Sequence, residues 1–234
     1  MRLFVIRHGD PNYDNGSFLT EKGKKEAAAL ASYLPRLHLT HLYTSPLGRA
    51  RETAAPCAKK LGLPVTILPW AHELEGVIYE TERFGLVAPH TMPGELMYSI
   101  APVPLYEGWQ TQKYFDHPLL IKSISQMEEG ADALLKQHGF LREGPVYRVI
   151  RPNQERAAVF CHQGLGTSLI AYLLKIPYQA AWSGMWQACS SISTLIMECR
   201  SDHYAAPRMI QMGSTPHIDL AGLEPNENGL QWIV

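Results

Sequence analysis

The sequence has no apolar run long enough to cross a membrane, and its charges nearly cancel. Near the N-terminus only four apolar residues, Leu3–Ile6, precede the charged Arg7, which is too short for a secretory signal or a membrane span. Twenty-one Lys and Arg residues stand against 22 Asp and Glu residues, a net charge of −1, so no overall field draws the chain to nucleic acid or anionic lipid. We therefore expect neither nucleic acid nor membrane as a partner, and any bound anion has to be held by a local arrangement.

The sequence is also poor in cysteine. Its four cysteines show no CxxC spacing, and each lies in an apolar stretch typical of a protein core: Cys57, Cys161, Cys189 and Cys199. Such scattered cysteines are typical of reduced thiols, since disulfides are rare in cytosolic proteins. The pattern predicts a cytoplasmic protein without disulfides.

The length of 234 residues suits one compact α/β domain, residues 1–234. Regular alternation of elements stops after Glu75, where five prolines and three glycines fall between residues 77 and 118. Helical spacing of apolar residues returns from Leu120 to Leu135, with Gly139 as the stop. We predict that residues 76–150 form a lid-like insertion, partly irregular and partly helical, over the active site.

Outside that segment, apolar strand patterns alternate with amphipathic helix patterns. Three strand patterns each end in polar residues and precede a helix: Leu3–Ile6, His41–Thr44 and Ala157–Cys161. Further strands are predicted at Pro64–Leu68, Ile192–Met197 and Met209–Met212, and the helix signals include caps at Thr20, Ser45 and Gly62. This alternation predicts a three-layer α/β/α sandwich with a mostly parallel central sheet.

Cationic or ionisable side chains follow the three strands that precede helices. Arg7 and His8 follow the first strand, Arg49 lies one turn into the second helix, and His162 follows the later strand. Because ligands bind beyond the carboxyl ends of parallel strands, these four side chains form the candidate site. The alternatives without a functional site are that the arginines form surface ion pairs and that His162 has a structural role. A metal site of His8, His162 and Asp10 is a rival, but no HxxxH or CxxC spacing supports it.

The motifs around these residues resemble the histidine phosphatase superfamily (phosphoglycerate mutase-like, branch 1). Arg7-His8-Gly9 resembles its RHG signature, and Cys161–Gly164 resembles the second-histidine motif, with Gln163 where glycine is usual. Three further segments are similar to the family's LTxxGxxQA, SxLxRAxxTA and NDTxHL stretches: Leu19–Ala27, Ser45–Ala54 and Gly213–Ile218. They occur in the family's order and cover most of the chain outside residues 76–150.

The resemblance implies a phosphoglycerate mutase-like fold and a metal-independent reaction without cofactors. It also implies that His8 attacks phosphorus while Arg7, Arg49 and His162 hold the phosphoryl oxygens. Elementary electrostatics agrees, because neighbouring guanidiniums keep the nucleophilic imidazole neutral and donate bidentate hydrogen bonds to phosphate. Helix N-termini after Ser45 and Gly164 would add backbone N–H donors.

The remaining site residues match the family's motifs less closely. Glu73 best matches the family's LxExxxG pattern for the proton donor, but Ala71 replaces the leucine and Gly76 comes one residue early, so Glu75 stays a candidate. In the loop after Gly9, Asn15 is taken as a phosphate contact and Asn12 is the alternative. We expect Gln163 to contact phosphate through its backbone N–H, whatever its side chain.

Together these features predict a phosphomonoester hydrolase that acts through a phosphohistidine on a small phosphorylated metabolite. The alternatives are a phosphoglycerate mutase-type transfer and a non-catalytic module that binds a phospho-ligand. Residues 76–150 contain six basic, nine acidic and nine aromatic residues, and no two basic residues are adjacent, which favours hydrolysis of monoesters with an apolar or uncharged organic part. Whether the chain forms a homodimer stays open.

Overall fold

The computed structural model describes residues 1–13, 18–226 and 230. In chain order its strands are β1 Arg2–Arg7, β2 Pro11–Asn12, β3 Phe18–Leu19, β4 His41–Thr44, β5 Val65–Ile67, β6 Tyr79–Thr81, β7 Gly85–Val87, β8 Phe140–Glu143, β9 Val146–Val149, β10 Arg156–Cys161, β11 Ile192–Cys199 and β12 Tyr204–Ser214. Its helices are α1 Glu21–Tyr33, α2 Gly48–Leu61, α3 Gly94–Ile100, α4 Pro118–Gln137, α5 Gln163–Leu174, α6 Tyr178–Gly184 and α7 Pro216–Leu220. None of these helices is long and apolar enough to span a membrane.

The main sheet has eight strands in the order β5-β4-β10-β1-β11-β12-β9-β8. The first four pair in parallel, as the alternating sequence pattern predicts. The other pairs, from β1–β11 to β9–β8, are antiparallel, so only the part that carries the site is parallel. The reason is local: β11 and β12 are joined by residues 200–203, and so short a connection cannot make a parallel crossover.

Both faces of the sheet are covered by helices, which confirms the three-layer architecture. Successive residues of β1 point to opposite faces. Phe4 and Ile6 pack with Leu30 of α1 and Cys57 of α2. Leu3 and Val5 pack into the larger cluster on the other face, with apolar side chains of α4 and α5.

The structure divides the segment that the sequence predicts to be one insertion. Residues 76–117 are irregular apart from the β6–β7 hairpin, α3 and short 3₁₀ turns. Residues 118–149 instead belong to the sandwich, because α4 buries the apolar stripe from Leu120 to Leu135 against the core. The β8–β9 hairpin extends the main sheet, where Tyr204 of β12 pairs with Arg148.

Two helix signals behave differently in the structure. Thr20 caps α1 as predicted, its hydroxyl accepting a 3.0 Å hydrogen bond from the Gly23 N–H. Ser45 is not the N-cap of α2: the helix begins at Gly48, with Leu47 as its cap residue. The Ser45 hydroxyl instead accepts from the Leu47 N–H at 3.2 Å and from His162 Nε2 at 2.7 Å.

The four cysteines are free thiols. Three of them are buried as expected. Cys199, at the end of β11, is exposed instead of belonging to the core.

Candidate active site

The structure brings together the ionisable residues that the sequence singles out at strand ends. His8 follows β1, Arg49 is the second residue of α2, and His162 is the N-cap residue of α5. These side chains are at most 2% exposed, and the centroids of the two imidazole rings lie 5.1 Å apart. The parallel order β4-β10-β1 places the three strand ends next to one another, which is why residues far apart in sequence meet here.

Hydrogen bonds define the tautomer of each histidine. Arg49 Nε donates to His8 Nε2 at 3.2 Å and to His162 Nδ1 at 3.1 Å, so both of these nitrogens are acceptors. His8 Nδ1 therefore carries the hydrogen and donates to the Gly9 carbonyl at 2.7 Å. His162 Nε2 likewise donates to Ser45 Oγ at 2.7 Å. A lone pair of His8 Nε2 faces the cationic pocket, as a nucleophile requires.

Electrostatics keeps both imidazoles neutral. Burial lowers the pKa of His8 well below its usual range, and the charges of Arg7 and Arg49 lower it further, against the raising effect of the Gly9 carbonyl. Burial also lowers the pKa of His162, with contributions from His8 and Arg49. At neutral pH the site therefore contains two fixed guanidinium charges and two uncharged imidazoles.

Arg7 completes the cationic side of the pocket. Its Nη1 donates to the Gln187 carbonyl at 2.5 Å, and its Cζ lies 5.9 Å from the centroid of the Trp186 ring. Its Nε is buried and has no hydrogen-bond partner among the described residues. An unused guanidinium N–H in a cationic pocket is suited to an anionic ligand.

The two glutamates occupy different places in the site. Glu73 sits at the N-terminus of α5, where Oε1 accepts from Leu165 N at 2.8 Å and Oε2 from Gly164 N at 3.1 Å. The predicted backbone donors after Gly164 therefore serve this carboxylate. Glu75 is half exposed and pairs with Arg49, its Oε1 lying 2.8 Å from Nη2. Glu75 thus contacts Arg49 directly, whereas Glu73 contacts the backbone of α5 just after His162.

The other residues that the sequence predicts to contact phosphate do not all lie in the described part of the site. Asn15 lies outside the described residues, and Asn12 is half-buried in β2. Gln163 is the first residue of α5, beside His162. The Asp10 carboxylate, from the rival metal site, accepts from Thr20 Oγ1 at 2.6 Å and from Asn226 Nδ2 at 2.5 Å.

Several residues of the site were missed by sequence reasoning about chemistry. Ser45 orients His162, and Thr53 Oγ1 accepts from the Gly9 backbone N–H at 2.9 Å, tying α2 to the loop that carries His8. Both lie inside the SxLxRAxxTA-like segment, so their place in that motif was the available signal. Tyr13 lies with its ring centroid 5.6 Å from Arg49 Cζ, and it has no motif that predicts this.

His90 was also missed. It belongs to the irregular segment and reaches the first turn of α5. A Cβ atom on Gly164 would lie 2.6 Å from His90 Cδ2 and 2.8 Å from Glu73 Oε1. Only a glycine at this position lets the imidazole and the carboxylate both pack against the helix N-terminus.

One group in the described part of the chain has metal-ligand geometry, and it is far from these residues in the sheet. His41, His138 and Glu155 lie at the amino ends of β4 and β10, the edge opposite the site. The His138 ring is already satisfied by Tyr43 OH at 2.9 Å and by Glu155 Oε2 at 2.5 Å. Arg151 adds a positive charge beside Glu155, so the group is better explained as a structural hydrogen-bond chain.

Comparison with known proteins confirms the resemblance. Residues 3–87 match the family model of the histidine phosphatase superfamily (branch 1). The "Probable phosphoglycerate mutase GpmB" of Cronobacter sakazakii is 33% identical over 149 residues, which are 60% of this chain and 61% of that protein. The match thus spans about three fifths of the length of this curated relative.

Solved structures support the fold. A mycobacterial glucosyl-3-phosphoglycerate phosphatase matches with a TM-score of 0.60 and 18% identity, over 92% of this chain and 99% of that chain. A phosphoserine phosphatase of Entamoeba histolytica, in complex with 3-phosphoglyceric acid, matches with a TM-score of 0.60 and 20% identity, over 93% and 98% of the two chains. At such low identity the similarity establishes a shared fold, and it does not establish a shared substrate.

Proposed function

Since residues 3–87 match the histidine phosphatase superfamily, we propose that this protein hydrolyses phosphate monoesters through a phosphohistidine on His8. The observation that carries the proposal is the His8 imidazole, buried and neutral, with Nε2 as an acceptor beside the Arg49 guanidinium. Such a nitrogen is a competent nucleophile. The neighbouring guanidiniums supply the charge that phosphoryl transfer needs around its oxygens.

In the first step the His8 Nε2 lone pair attacks phosphorus and the bond from phosphorus to the ester oxygen breaks. Arg7 and Arg49 donate to the phosphoryl oxygens, and His162 Nδ1, which accepts from Arg49 Nε at 3.1 Å, orients the Arg49 guanidinium. The hydrogen bond from His8 Nδ1 to the Gly9 carbonyl stabilises the positive charge that the ring acquires. In the second step water attacks phosphorus, the bond to Nε2 breaks, and inorganic phosphate leaves.

The departing alkoxide takes a proton from a carboxylic acid, and the carboxylate that remains receives a proton from the attacking water in the second step. Glu73 is our first choice, because Oε2 accepts one backbone N–H and keeps a lone pair on which it can carry a proton. Glu75 is the alternative, and its contact with Arg49 has to rearrange when phosphate binds to that guanidinium.

Hydrolysis is favoured over a mutase reaction by the way in which residues 76–150 use their basic side chains. A mutase has to bind the carboxylate of phosphoglycerate as well as its phosphate. Three of the six basic residues in this segment already pair with carboxylates, namely Arg83 with Glu95, Arg142 with Asp132 and Arg148 with Glu143. The mutase reaction stays the second candidate, on the strength of the relative that bears that name.

The two arginines of the site each lie beside an aromatic ring. Arg7 approaches the Trp186 ring and Arg49 approaches the Tyr13 ring, which is 68% exposed. These rings provide apolar surface next to the phosphate, so we propose substrates with an apolar or uncharged organic part. We also propose a cytoplasmic location, in keeping with four free thiols.

The test is a panel of aryl, alkyl and sugar phosphates, with His8→Ala as the inactive variant. His203→Ala is the matched control, since His203 is exposed and distant from the site. We expect phosphate release by the wild type and the control, and none by His8→Ala. A fully active His8→Ala variant would refute the nucleophile. A second assay offers 3-phosphoglycerate with a trace of added 2,3-bisphosphoglycerate. Rapid conversion to 2-phosphoglycerate with little release of free phosphate would establish the mutase.

The proton donor is identified by leaving-group dependence. An aryl phosphate leaves without a proton, whereas an alkyl phosphate needs one. Glu73→Gln is expected to slow alkyl phosphates about 10²–10⁴-fold and aryl phosphates much less. If Glu75→Gln shows that dependence and Glu73→Gln does not, the role belongs to Glu75.

A further inference from the structure

Gln163 stands where the family's second-histidine motif usually has glycine, and its side chain has a specific use in the structure. Its Nε2 donates to the Met185 carbonyl at 3.2 Å, and its Oε1 accepts from the Gln187 backbone N–H at 3.1 Å. One amide thus holds both ends of the three-residue segment Met185–Gln187. A glycine at this position could make neither bond.

The segment Met185–Gln187 is what holds Arg7. The Gln187 carbonyl accepts from Arg7 Nη1 at 2.5 Å, and the Trp186 ring lies 5.9 Å from Arg7 Cζ. Since Arg7 Nε has no partner among the described residues, the orientation of the guanidinium depends on this carbonyl and this ring.

Other contacts also anchor the segment: the Met185 N–H donates to the Ala181 carbonyl of α6 at 2.9 Å. Gln187 Nε2 donates to Thr167 Oγ1 at 3.3 Å, and Gln187 Oε1 accepts from Ser193 Oγ at 2.8 Å. These contacts fix where the Gln187 side chain lies. The Gln163 amide bonds the peptide groups on either side of Trp186 and so places the backbone of Gln187, whose carbonyl accepts from Arg7.

We infer that the Gln163 side chain is a positioning residue for Arg7, which it orients toward the phosphoryl group through the backbone of Met185–Gln187. The inference rests on the proposed function, in which Arg7 binds phosphate. It assigns to Gln163 a role beyond the backbone N–H that the sequence predicts. This role follows from the residue by which the chain departs from the family pattern.

The inference predicts that the effects of mutating Gln163 and Arg7 on phosphate affinity are not additive. Gln163→Met keeps the length of the side chain and the backbone N–H but removes both hydrogen bonds. Because hydrogen bonds to a charged group are the strong ones, we expect Gln163→Met to weaken the binding of inorganic phosphate about 10-fold. In an Arg7→Ala background the same change is expected to alter phosphate affinity less than about 2-fold, since the group on which it acts is gone.

The measurement is calorimetric titration of the folded protein with inorganic phosphate, together with kcat and KM for an aryl phosphate. Gln126→Met, on the exposed face of α4, is the matched control and is expected to behave as the wild type. Wild-type affinity in Gln163→Met, or an equal loss in the Arg7→Ala background, overturns the inference.

A second variant covers the case in which Gln163→Met fails to fold. Gln163→Asn is one methylene shorter and cannot span the two backbone groups, so it is expected to show the same loss. If neither variant folds, the side chain serves stability and the inference is wrong. If the wild type binds phosphate but hydrolyses no substrate, the proposed function is refuted. The phosphate affinities of the single and double variants still test the inference in that case. Turnover with additive effects refutes only the inference.

Discussion

Gly164→Ala is a substitution whose sign separates helix propensity from the packing of the site. Gly164 is in the first turn of α5, where alanine is normally the better residue by up to about 1 kcal/mol. Here a Cβ atom would lie 2.6 Å from His90 Cδ2, 2.7 Å from His90 Cγ and 2.8 Å from Glu73 Oε1. Carbon atoms in proteins pack at about 3.5–4.0 Å, so both the imidazole and the carboxylate have to move.

The carboxylate moves more easily than the imidazole, since it ends a flexible side chain. Glu73 then loses the backbone hydrogen bonds from Gly164 and Leu165. Overpacking costs about 1–3 kcal/mol, which exceeds the gain in propensity. We therefore expect the free energy of unfolding to fall by about 1–2 kcal/mol, and alkyl phosphate turnover to fall more than aryl phosphate turnover.

The assay is urea unfolding together with kinetics on the two phosphate classes. Gly94→Ala is the matched control, because the first residue of α3 has only an ordinary 3.9 Å contact to Ser183 Cβ. A Gly164→Ala/His90→Ala double variant removes the ring and is expected to recover part of the lost stability. A Gly164→Ala protein as stable and as active as the wild type would refute the packing of His90 and Glu73 against α5.

Three further predictions concern the hydrogen bond to His162, the cationic pocket and the buried His217. Ser45→Ala is expected to lower kcat/KM about 3–10-fold, because His162 Nε2 loses a buried hydrogen bond of about 1 kcal/mol, whereas Ser45→Thr keeps a hydroxyl and most of the activity. Activity is expected to survive EDTA, since Arg7 and Arg49 supply the positive charge; abolition by chelator and rescue by one divalent ion would contradict the mechanism. Stability is expected to fall with acid: burial lowers the pKa of His217 from 6.5 to about 4, so the unfolded chain takes up the proton first. The contribution of neutral His217 to the free energy of unfolding is complete above pH 6.5, and it shrinks by about 2 kcal/mol between pH 7.5 and 5. Urea unfolding of wild type and His217→Gln at both values measures the difference, and an equal pH dependence in the two proteins would show that His217 is not responsible.

The parallel half of the fold was predictable because short stretches of sequence indicate its strands and helix ends. Apolar stretches such as Leu3–Ile6 and Ala157–Cys161 indicate buried strands, and Thr20 and Gly62 mark helix ends through short-range hydrogen bonds and backbone geometry. The antiparallel half was not predictable in the same way. The β11–β12 pairing follows from a short connection, but the pairs β1–β11 and β12–β9 join segments far apart in the chain and leave no periodic mark in the sequence.

By itself the sequence determined the cationic constellation at the strand ends, because a motif fixes which residue follows a strand and where the next helix turns. Arg7, His8, Arg49 and His162 are all of this kind. Only the tertiary structure decided how these groups are held: Ser45 on His162, Glu73 on the N-terminus of α5, and Gln163 on the backbone that bonds Arg7. The physical reason is that a hydrogen bond depends on distance and direction in space, and its partners here lie from 22 to 117 residues apart in the chain.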